Sequence, residues 1–582
     1  MRKTKIVCTI GPASEKKEII RELIKAGMNV ARLNFSHGTH EEHRARIEAI
    51  REVEKELRTN VAIMVDTKGP EIRIGSFAKG KVHLKKGQEF SLVTYPVAGD
   101  ETKAFVNFED MPQIVHEGDK ILLADGLIEL EVKKVSGKEI LCTVMNGGEL
   151  SDNKGVNLPG KSIPLPAVTP KDVDDILFGI KMGVDFVAAS FIRKASDVIA
   201  IRKILEENGG QDIQIIAKIE NQEGVQNLDE IIKVADGIMI ARGDLGVEIP
   251  VEEVPIVQKR IIERCNRAGK PVITATQMLE SMIKNPRPTR AETTDVANAI
   301  LDGTDAIMLS GETASGEFPV EAVRMMTRIA EKVEETVSLD VTASKRQTSI
   351  RTVTDAISHA TYTIAKDLGA SAIITSTKSG YTARMVAKFR PSAPILAVTP
   401  REKVTRTLQV VWGVFPIKIN ETTSTDEMFR EAINGALSSG IIKKGDLVVI
   451  TAGVPLYVSG TTNLIRVHVV GDVILKGTGI GTKSVHGTVY VARTLKEAEA
   501  MPDGCILVVA STDKDYMPVI QRASAIIAEE AGLTSHAAIA SIELGIPVIV
   551  GAEGATEKLT TGDEVTVDCQ RGLVYRGIAD VK

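Results

Sequence analysis

Over about the first 340 residues, short apolar β-branched runs alternate with stretches of helical periodicity, and this alternation limits the fold more than any other feature of the chain. Eight runs read as strands: Lys5–Ile10, Asn29–Leu33, Val61–Val65, Phe186–Ala189, Ile213–Ala217, Gly237–Ile240, Pro271–Thr274 and Asp305–Leu309. Amphipathic stretches lie between them, such as Lys17–Ala26, closed by Gly27 as a helix C-cap, and Glu41–Leu57. Parallel strands joined by helices predict an α/β fold, a (β/α)8 TIM barrel whose active site sits at the C-terminal ends of the strands. A doubly wound open sheet is the alternative.

One βα unit is interrupted. From about Pro70 to Pro166 strand patterns dominate: Val82–Leu84, Glu89–Val93, Lys120–Leu123, Leu127–Val135 and Ile140–Val144, with turn signals at Asp125-Gly126 and Ser136-Gly137. This reads as a small all-β domain inserted in a barrel loop, where it could close over the site as a lid. From about Val353 to Val470 a second α/β block follows, with helical Thr354–Asp367, the strand Ser371–Thr375 and a last strand Leu447–Ile450. Past Gly471 the stretch Gly477-Thr-Gly-Ile-Gly481 reads as a linker, since a glycine pattern without strand and helix around it is weak evidence for a dinucleotide site. On size, the last ~110 residues form a further compact unit. The expected domains are 1–69 with 168–345 for the barrel, 70–167 for the insertion, 346–472 for the second α/β block and 473–582 for the tail.

At 582 residues the chain exceeds what one core supports and fits three or four domains of roughly 150 residues. A net charge of −5 points to neither nucleic acid nor an anionic membrane, so any anion site must be built locally. Five scattered cysteines with no CxxC pair suggest reduced thiols and a cytoplasmic setting. No stretch reads as a signal peptide or as the ~20 apolar residues of a membrane span.

The strand ends are unusually polar. Strand two runs into Ala31-Arg-Leu-Asn-Phe-Ser-His-Gly38, with Arg32, Asn34 and Ser36 at alternating positions of an extended segment. Strand three ends Met64-Val-Asp-Thr-Lys-Gly-Pro-Glu-Ile-Arg73, and strand five Ile216-Ala-Lys-Ile-Glu-Asn221, where Lys218 and Glu220 face the same way. Strands six, seven and eight end in Arg242-Gly-Asp-Leu-Gly246, Ala275-Thr-Gln277 and Ser310-Gly-Glu-Thr313. One charge at a strand end is commonly a cap or a solvated loop charge; six such ends on one barrel face indicate a site. Glu220 and Asp244 are hard oxygen donors suited to Mg2+ or Mn2+ shared with a substrate. Arg32 and Arg73 can grip a phosphoryl group, and Lys218 can neutralise charge developing on it or on an enolate oxygen. Gly243 and Asp244 open a probable helix whose free N–H groups suit a carboxylate. Asn34, Ser36, Asp66 and Thr67 offer four oxygens and one charge, which fits a monovalent cation better than a second Mg2+; a hydrogen-bonded turn is the alternative.

These segments resemble pyruvate kinase motifs, in order: Ala31–Gly38 (ARLNFSHG), Asp66–Arg73 (DTKGPEIR), Ala217–Gly224 (AKIENQEG), Ala241–Glu248 (ARGDLGVE), Thr274–Met282 (TATQMLESM), Pro286–Asp295 (PRPTRAETTD) and Met308–Gly316 (MLSGETASG). The resemblance spans about 470 residues and implies phosphoryl transfer from phosphoenolpyruvate to ADP, giving pyruvate and ATP, with Mg2+ or Mn2+ and K+. It implies that Lys218 stabilises the moving phosphoryl group and the enolate, and that Glu220 and Asp244 hold the divalent ion. Arg32 would hold the phosphate, Arg73 the nucleotide with Asn34. The Gly243 and Asp244 amides and the Thr276 hydroxyl would hold the carboxylate, and Thr276 is a candidate for the proton relay. Asn34, Ser36, Asp66 and Thr67 match the K+ site, and Glu71 is the residue that accompanies K+ dependence. The insertion would be a small β-barrel lid, and the family is usually a homotetramer. A different barrel acting on phosphoenolpyruvate or an enolisable 2-oxo acid, with Lys218 as base, and a catalytically silent metabolite-binding relative are the rival readings.

The second α/β block resembles the family's regulatory domain. Its segment Thr375–Thr382, with Thr377, Lys378, Ser379, Gly380 and Thr382, could cradle the phosphate of an allosteric effector, or be an ordinary capped turn. The loop Ala452–Gly460 lacks the arginine expected for fructose-1,6-bisphosphate, so a monophosphorylated sugar or nucleotide is expected instead. In the tail, Glu530–Ala540 and Gly545–Gly551 resemble the phosphohistidine domain of phosphoenolpyruvate-utilising enzymes, with His536 at the histidine position. Ala531 replaces the usual glycine there, and no ATP-grasp segment is visible to charge the histidine. A structural or regulatory module is therefore the reading taken, with a working phosphohistidine as the alternative.

Overall fold

The computed structural model describes residues 1–161, 163–336, 352–454 and 462–579. The expected boundary at 345 and residues 455–460 of the loop Ala452–Gly460 lie outside the described residues. Two compact units divide the chain: Met1–Ala356 with Thr377–Ser392 and Thr399–Lys418, and Ile357–Ser376 with Ala393–Val398 and Ile419–Lys582.

In the first unit β1 (Lys5–Thr9), β2 (Val30–Asn34), β3 (Ala62–Asp66), β4 (Phe186–Ala189), β5 (Gln214–Ile219), β6 (Gly237–Ala241), β7 (Val272–Ala275) and β8 (Ala306–Leu309) close into one barrel. Every pairing in it is parallel, and β8 returns to β1. All eight expected runs are therefore strands, and the open-sheet alternative falls. Helix Lys17–Ala26 ends at Gly27, whose φ of 124° only glycine adopts readily. Helix His40–Leu57 starts from Thr39, which shares a capping box with Glu42.

The strand period of two sorts side chains between layers. Ile6, Cys8, Ala31, Leu33, Ile63, Val65, Val187, Ile215, Ala217 and Ile219 pack outward into the core shared with the helices. The opposite parity carries Thr9, Arg32, Asp66 and Lys218 into the barrel interior near the strands' C-terminal ends, and all four are buried. The same alternation that makes the core thus gathers polar groups at the barrel mouth.

The insertion is all-β around its own core of residues such as Phe90, Leu130 and Cys142. Its sheet runs in the order Val156–Asn157, Lys120–Leu123, Ile128–Ser136, Glu139–Val144, Glu89–Val93, Lys103–Phe105, and Lys81–Leu84 pairs separately with Gly148–Ser151. Bridges from Ile74 to Val106 and from Arg73 to Gly155 join the two edges of that sheet into a small barrel. Arg73 is thereby fixed to the inserted domain by its own backbone.

In the second unit, strands Ile395–Thr399, Ala372–Ser376, Leu447–Gly453 and Thr462–Val469 lie in that order, the last one antiparallel. The tail forms an eight-stranded sheet. Here the structure corrects the linker reading: Val473–Lys476 pairs with Leu573–Arg576, and Thr478–Ile480 pairs antiparallel with Val548–Val550. The glycines there serve close packing rather than flexibility, because a Cβ at Gly479 would lie 1.8 Å from the Cys569 carbonyl oxygen. His536 opens helix His536–Leu544 behind the N-cap Ser535, and its Nδ1 lies 3.0 Å from the Thr512 hydroxyl.

Candidate active site

The mouth of the barrel holds a continuous ladder of buried charge. Arg32 Nε donates to Asp66 Oδ2 at 2.6 Å and its Nη1 to the Thr9 hydroxyl at 2.9 Å. Lys218 Nζ lies 3.0 Å from Asp66 Oδ1, 2.9 Å from Glu220 Oε1 and 2.7 Å from the Ser190 hydroxyl. Ser190 donates in turn to the Thr67 carbonyl at 2.6 Å. Burial works against the charge on Asp66, but Arg32 and Lys218 together outweigh it and hold the carboxyl below the usual range. Burial likewise disfavours the Lys218 ammonium, yet Asp66 and Glu220 prevail and push its pKa up. Asp66 and Glu220 thus favour the charged form of Lys218, which suits a charge-stabilising group.

Glu220 and Asp244 differ in setting. Glu220 is buried, with Oε2 accepting from the Phe191 N–H at 2.6 Å. Phe191 reaches it by adopting φ 55°, a left-handed conformation that costs a bulky residue of order 1 kcal/mol and is kept where geometry demands it. Asp244 lies in the short helix Arg242–Glu248 and lines a cavity of ≈ 290 Å³. The protein around it, then the negative charge of Glu220, push its carboxyl up to about 7 against the pull of Lys218, although its side chain stays exposed and water screens part of that effect. Two oxygen donors carrying an unrelieved charge conflict fit a hard divalent cation, with further ligands left to substrate or water. Among the described residues no third His, Cys, Asp or Glu completes a protein-only site.

The segment expected for a monovalent cation departs from expectation in one respect. β2 stops at Asn34, so Ser36 does not continue an extended run; its N–H donates to Asn34 Oδ1 at 3.1 Å in a turn. Asn34 and Asp66 are paired partners on β2 and β3. The Thr67 hydroxyl accepts from the Ser190 N–H at 3.3 Å. The set is all oxygen, and its one carboxylate already serves two cations. That suits a weakly charged ion better than Mg2+.

The carboxylate cradle is also partly closed on itself. The Gly243 N–H donates to the Thr276 hydroxyl at 2.8 Å, and that hydroxyl donates to the Ala275 carbonyl at 2.6 Å. Thr276 and Gln277 both have positive φ, 66° and 53°, which turns the chain sharply at the end of β7. Arg242 braces the turn through the Thr276 carbonyl at 2.7 Å and Asp295 at 2.7 Å. Arg73 stands apart from Arg32: it pairs with Glu71 at 2.6 Å and donates to the Asn153 carbonyl at 2.6 Å. Both Arg73 and Glu71 line the cavity with Asp244, Asp125 and Lys154.

Sequence reading missed Ser190 and Lys154. Ser190 follows β4 and carries no charge to mark it, although a hydroxyl at inward parity is an available signal. Lys154 precedes a two-residue strand of the insertion and had no pattern to announce it. The segment Thr377–Thr382 runs into helix Tyr381–Ala387, with Gly380 at φ 78° and Thr377 and Thr382 buried.

Residues 1–323 match the family described as pyruvate kinase, barrel domain, and residues 355–468 match pyruvate kinase, alpha/beta domain. Residues 501–572 match PEP-utilising enzyme, mobile domain, the module expected from the motif around His536. Among curated proteins the chain is 56% identical to a pyruvate kinase of Geobacillus stearothermophilus and 53% to one of Sporosarcina psychrophila, in both cases over all of either chain. Among solved structures it resembles a pyruvate kinase from Cryptosporidium parvum, 42% identical, with a TM-score of 0.77 over 81% of this chain and 96% of that one. With its whole length matched in this way, the chain belongs to the pyruvate kinase family and is a phosphotransferase.

Proposed function

We propose that phosphoenolpyruvate and ADP meet at the barrel mouth, where the phosphoryl group passes to ADP and leaves pyruvate and ATP. The observation that carries this reading is the ladder Arg32–Asp66–Lys218–Glu220, which ends beside the Asp244 carboxyl, whose ionisation the negative charge of Glu220 opposes. In such a transfer most of the protein's work is placement and charge stabilisation. Lys218 faces the charge that develops on the transferring group and then on the enolate oxygen; Arg32 holds the phosphate from the side of β2. Arg73 carries the nucleotide with Asn34, and its attachment to the inserted domain means that lid closure brings it in. The carboxylate of the substrate takes the Gly243 and Asp244 N–H groups and the Thr276 hydroxyl by displacing their mutual hydrogen bond. Thr276, whose hydroxyl now donates to Ala275, then becomes available to the proton relay toward the enolate carbon.

Glu220 and Asp244 would hold Mg2+ or Mn2+, and Asn34, Ser36, Asp66 and Thr67 would hold K+ with Glu71 nearby. Bound there, these ions would supply Lewis-acid polarisation and neutralise phosphate charge. A phosphorylated effector at Thr377, Lys378, Ser379, Gly380 and Thr382, a homotetrameric assembly, cytoplasmic residence and the domain limits at 70, 168, 346 and 473 belong to the same reading. No helix among the described residues is long and apolar enough to cross a membrane. The tail is read as a structural or regulatory module.

The test is pyruvate release from phosphoenolpyruvate, ADP, Mg2+ and K+, run beside Lys218→Met. The expected result is ADP-dependent turnover that falls by roughly three or more orders of magnitude in the variant, as for other groups that stabilise transferring phosphoryl charge. Turnover in the variant within tenfold of the parent would remove Lys218 from this role. An inactive parent protein would favour the silent relative.

A further inference from the structure

We infer that the His43 imidazole is a positioning group for the turn bearing Asn34 and Ser36, and that through this turn it sets the affinity and selectivity of the monovalent-cation site. The inference rests on the reading of Asn34, Ser36, Asp66 and Thr67 as that site.

Phe35 lies between the two ligands, is buried, and is held on every side. Its ring lies flat on His43 with centroids 4.0 Å apart and planes 11° from parallel. Phe178 and His40 close its edges at 5.9 Å with tilted planes. Its N–H donates to the Asp66 carbonyl at 3.0 Å and its carbonyl accepts from Lys171 Nζ at 2.9 Å. The other flank of Ser36 is held by the same imidazole: His43 Nε2 lies 2.9 Å from the His37 carbonyl. One ring thus anchors the residues before and after Ser36, one by its face and one by its edge.

A histidine offers both contacts at once: the His37 carbonyl requires the proton on Nε2, and the buried Nδ1, with no partner to take a second proton, favours the singly protonated ring. Phenylalanine would keep the face and lose the donor; an amide would keep a donor and lose the face. His43 is 1% exposed and belongs to helix His40–Leu57, so it ties the turn to a rigid element. Its own contacts are to Phe35 and His37, not to the four ligands, so its influence on the ion is indirect.

The experiment measures cation binding without turnover. Tl+, a K+ substitute, is titrated by 205Tl NMR into the full-length protein with Mg2+ and phosphoenolpyruvate present and ADP omitted, for the parent, His43→Phe and Lys171→Met. K+ half-saturation and kcat at saturating substrates are measured alongside. His43→Phe is expected to weaken Tl+ binding and raise K+ half-saturation on the order of 5- to 10-fold, the factor one positioning hydrogen bond supplies. The kcat at saturating K+ should stay within about twofold, and the preference for K+ over Na+ should narrow. Unchanged Tl+ affinity in a His43→Phe protein with the parent's melting temperature overturns the proposal. If His43→Phe does not fold, Lys171→Met, which loosens the same turn from the solvent side, decides by the same criterion. A parent protein in which K+ fails to displace Tl+ overturns the cation-site reading itself.

Discussion

Lys5 opens β1 at the barrel end remote from the charge ladder, and its side chain is buried, 3% exposed. Nζ donates to the Val414 carbonyl at 2.6 Å and lies 4.7 Å from the Phe415 ring centre. Burial above all, then the nearby Arg2, bring its pKa down from the ordinary 10.5 to about 7, against a weaker pull from Glu334. Between these values the unfolded chain carries a proton that the folded chain lacks, so this residue makes stability rise with pH. At 1.36 kcal/mol per tenfold, the burden is ~4 kcal/mol at pH 7, ~2 at pH 9 and under ~1 at pH 10. Lys5→Met removes it, and in return gives up the hydrogen bond to the Val414 carbonyl, ~1–2 kcal/mol. The variant should therefore be the more stable protein at pH 6.5 and the less stable one at pH 10. The difference between the two should change by ~3–4 kcal/mol over that range, whatever the fixed loss. Urea unfolding followed by the fluorescence of Trp412 reads it directly, because Trp412 is the only tryptophan, is 2% exposed and sits two residues from Val414. A stability difference that is flat from pH 6.5 to 10 would refute the reasoning.

Two more outcomes follow from the geometry. Because burial and Glu220 push the Asp244 carboxyl up to about 7, protons should compete with a divalent ion there. Mn2+ affinity, measured by calorimetry without nucleotide, should weaken by up to about tenfold per pH unit below that midpoint, less where water at the cavity edge screens the pair, and Asp244→Asn should abolish the slope; equal affinity at pH 6 and 8 would count against it. In the tail, Gly479→Ala would place a methyl carbon 1.8 Å from the Cys569 carbonyl oxygen, so a backbone shift costing ~2–4 kcal/mol is expected. Faster tryptic cleavage between residues 473 and 579 is the readout, and a cleavage rate matching the parent's would contradict the close packing.

The barrel was legible because its two signals are local. A run such as Val61–Val65 is apolar on both faces, as a strand covered by helices outside and packed inside must be, and Lys17–Ala26 with Gly27 carries its own stop signal. Part of the functional parity was legible for the same reason: Arg32 with Asn34, and Lys218 with Glu220, recur at the strand period, so their spacing alone put each pair on one side of its segment. Whole motifs then named the family. What stayed hidden depends on contacts between distant segments. Ser190 reads as an apolar strand's end until Lys218 and Thr67 stand beside it. The stretch Gly477–Gly481 reads as a flexible connection until Cys569 and Val548–Val550 close on it, after which glycine is the residue that fits. His43 reads as one more helix residue until Phe35 lies across its face. The sequence by itself determined the strands, their facing and the chemical kinds at the barrel mouth, since these depend on periodicity and residue type. Tertiary structure decided the upward shift at Asp244, the downward shift at Lys5 and the fixed turn around Ser36, because desolvation and neighbouring charge exist only once remote segments have met.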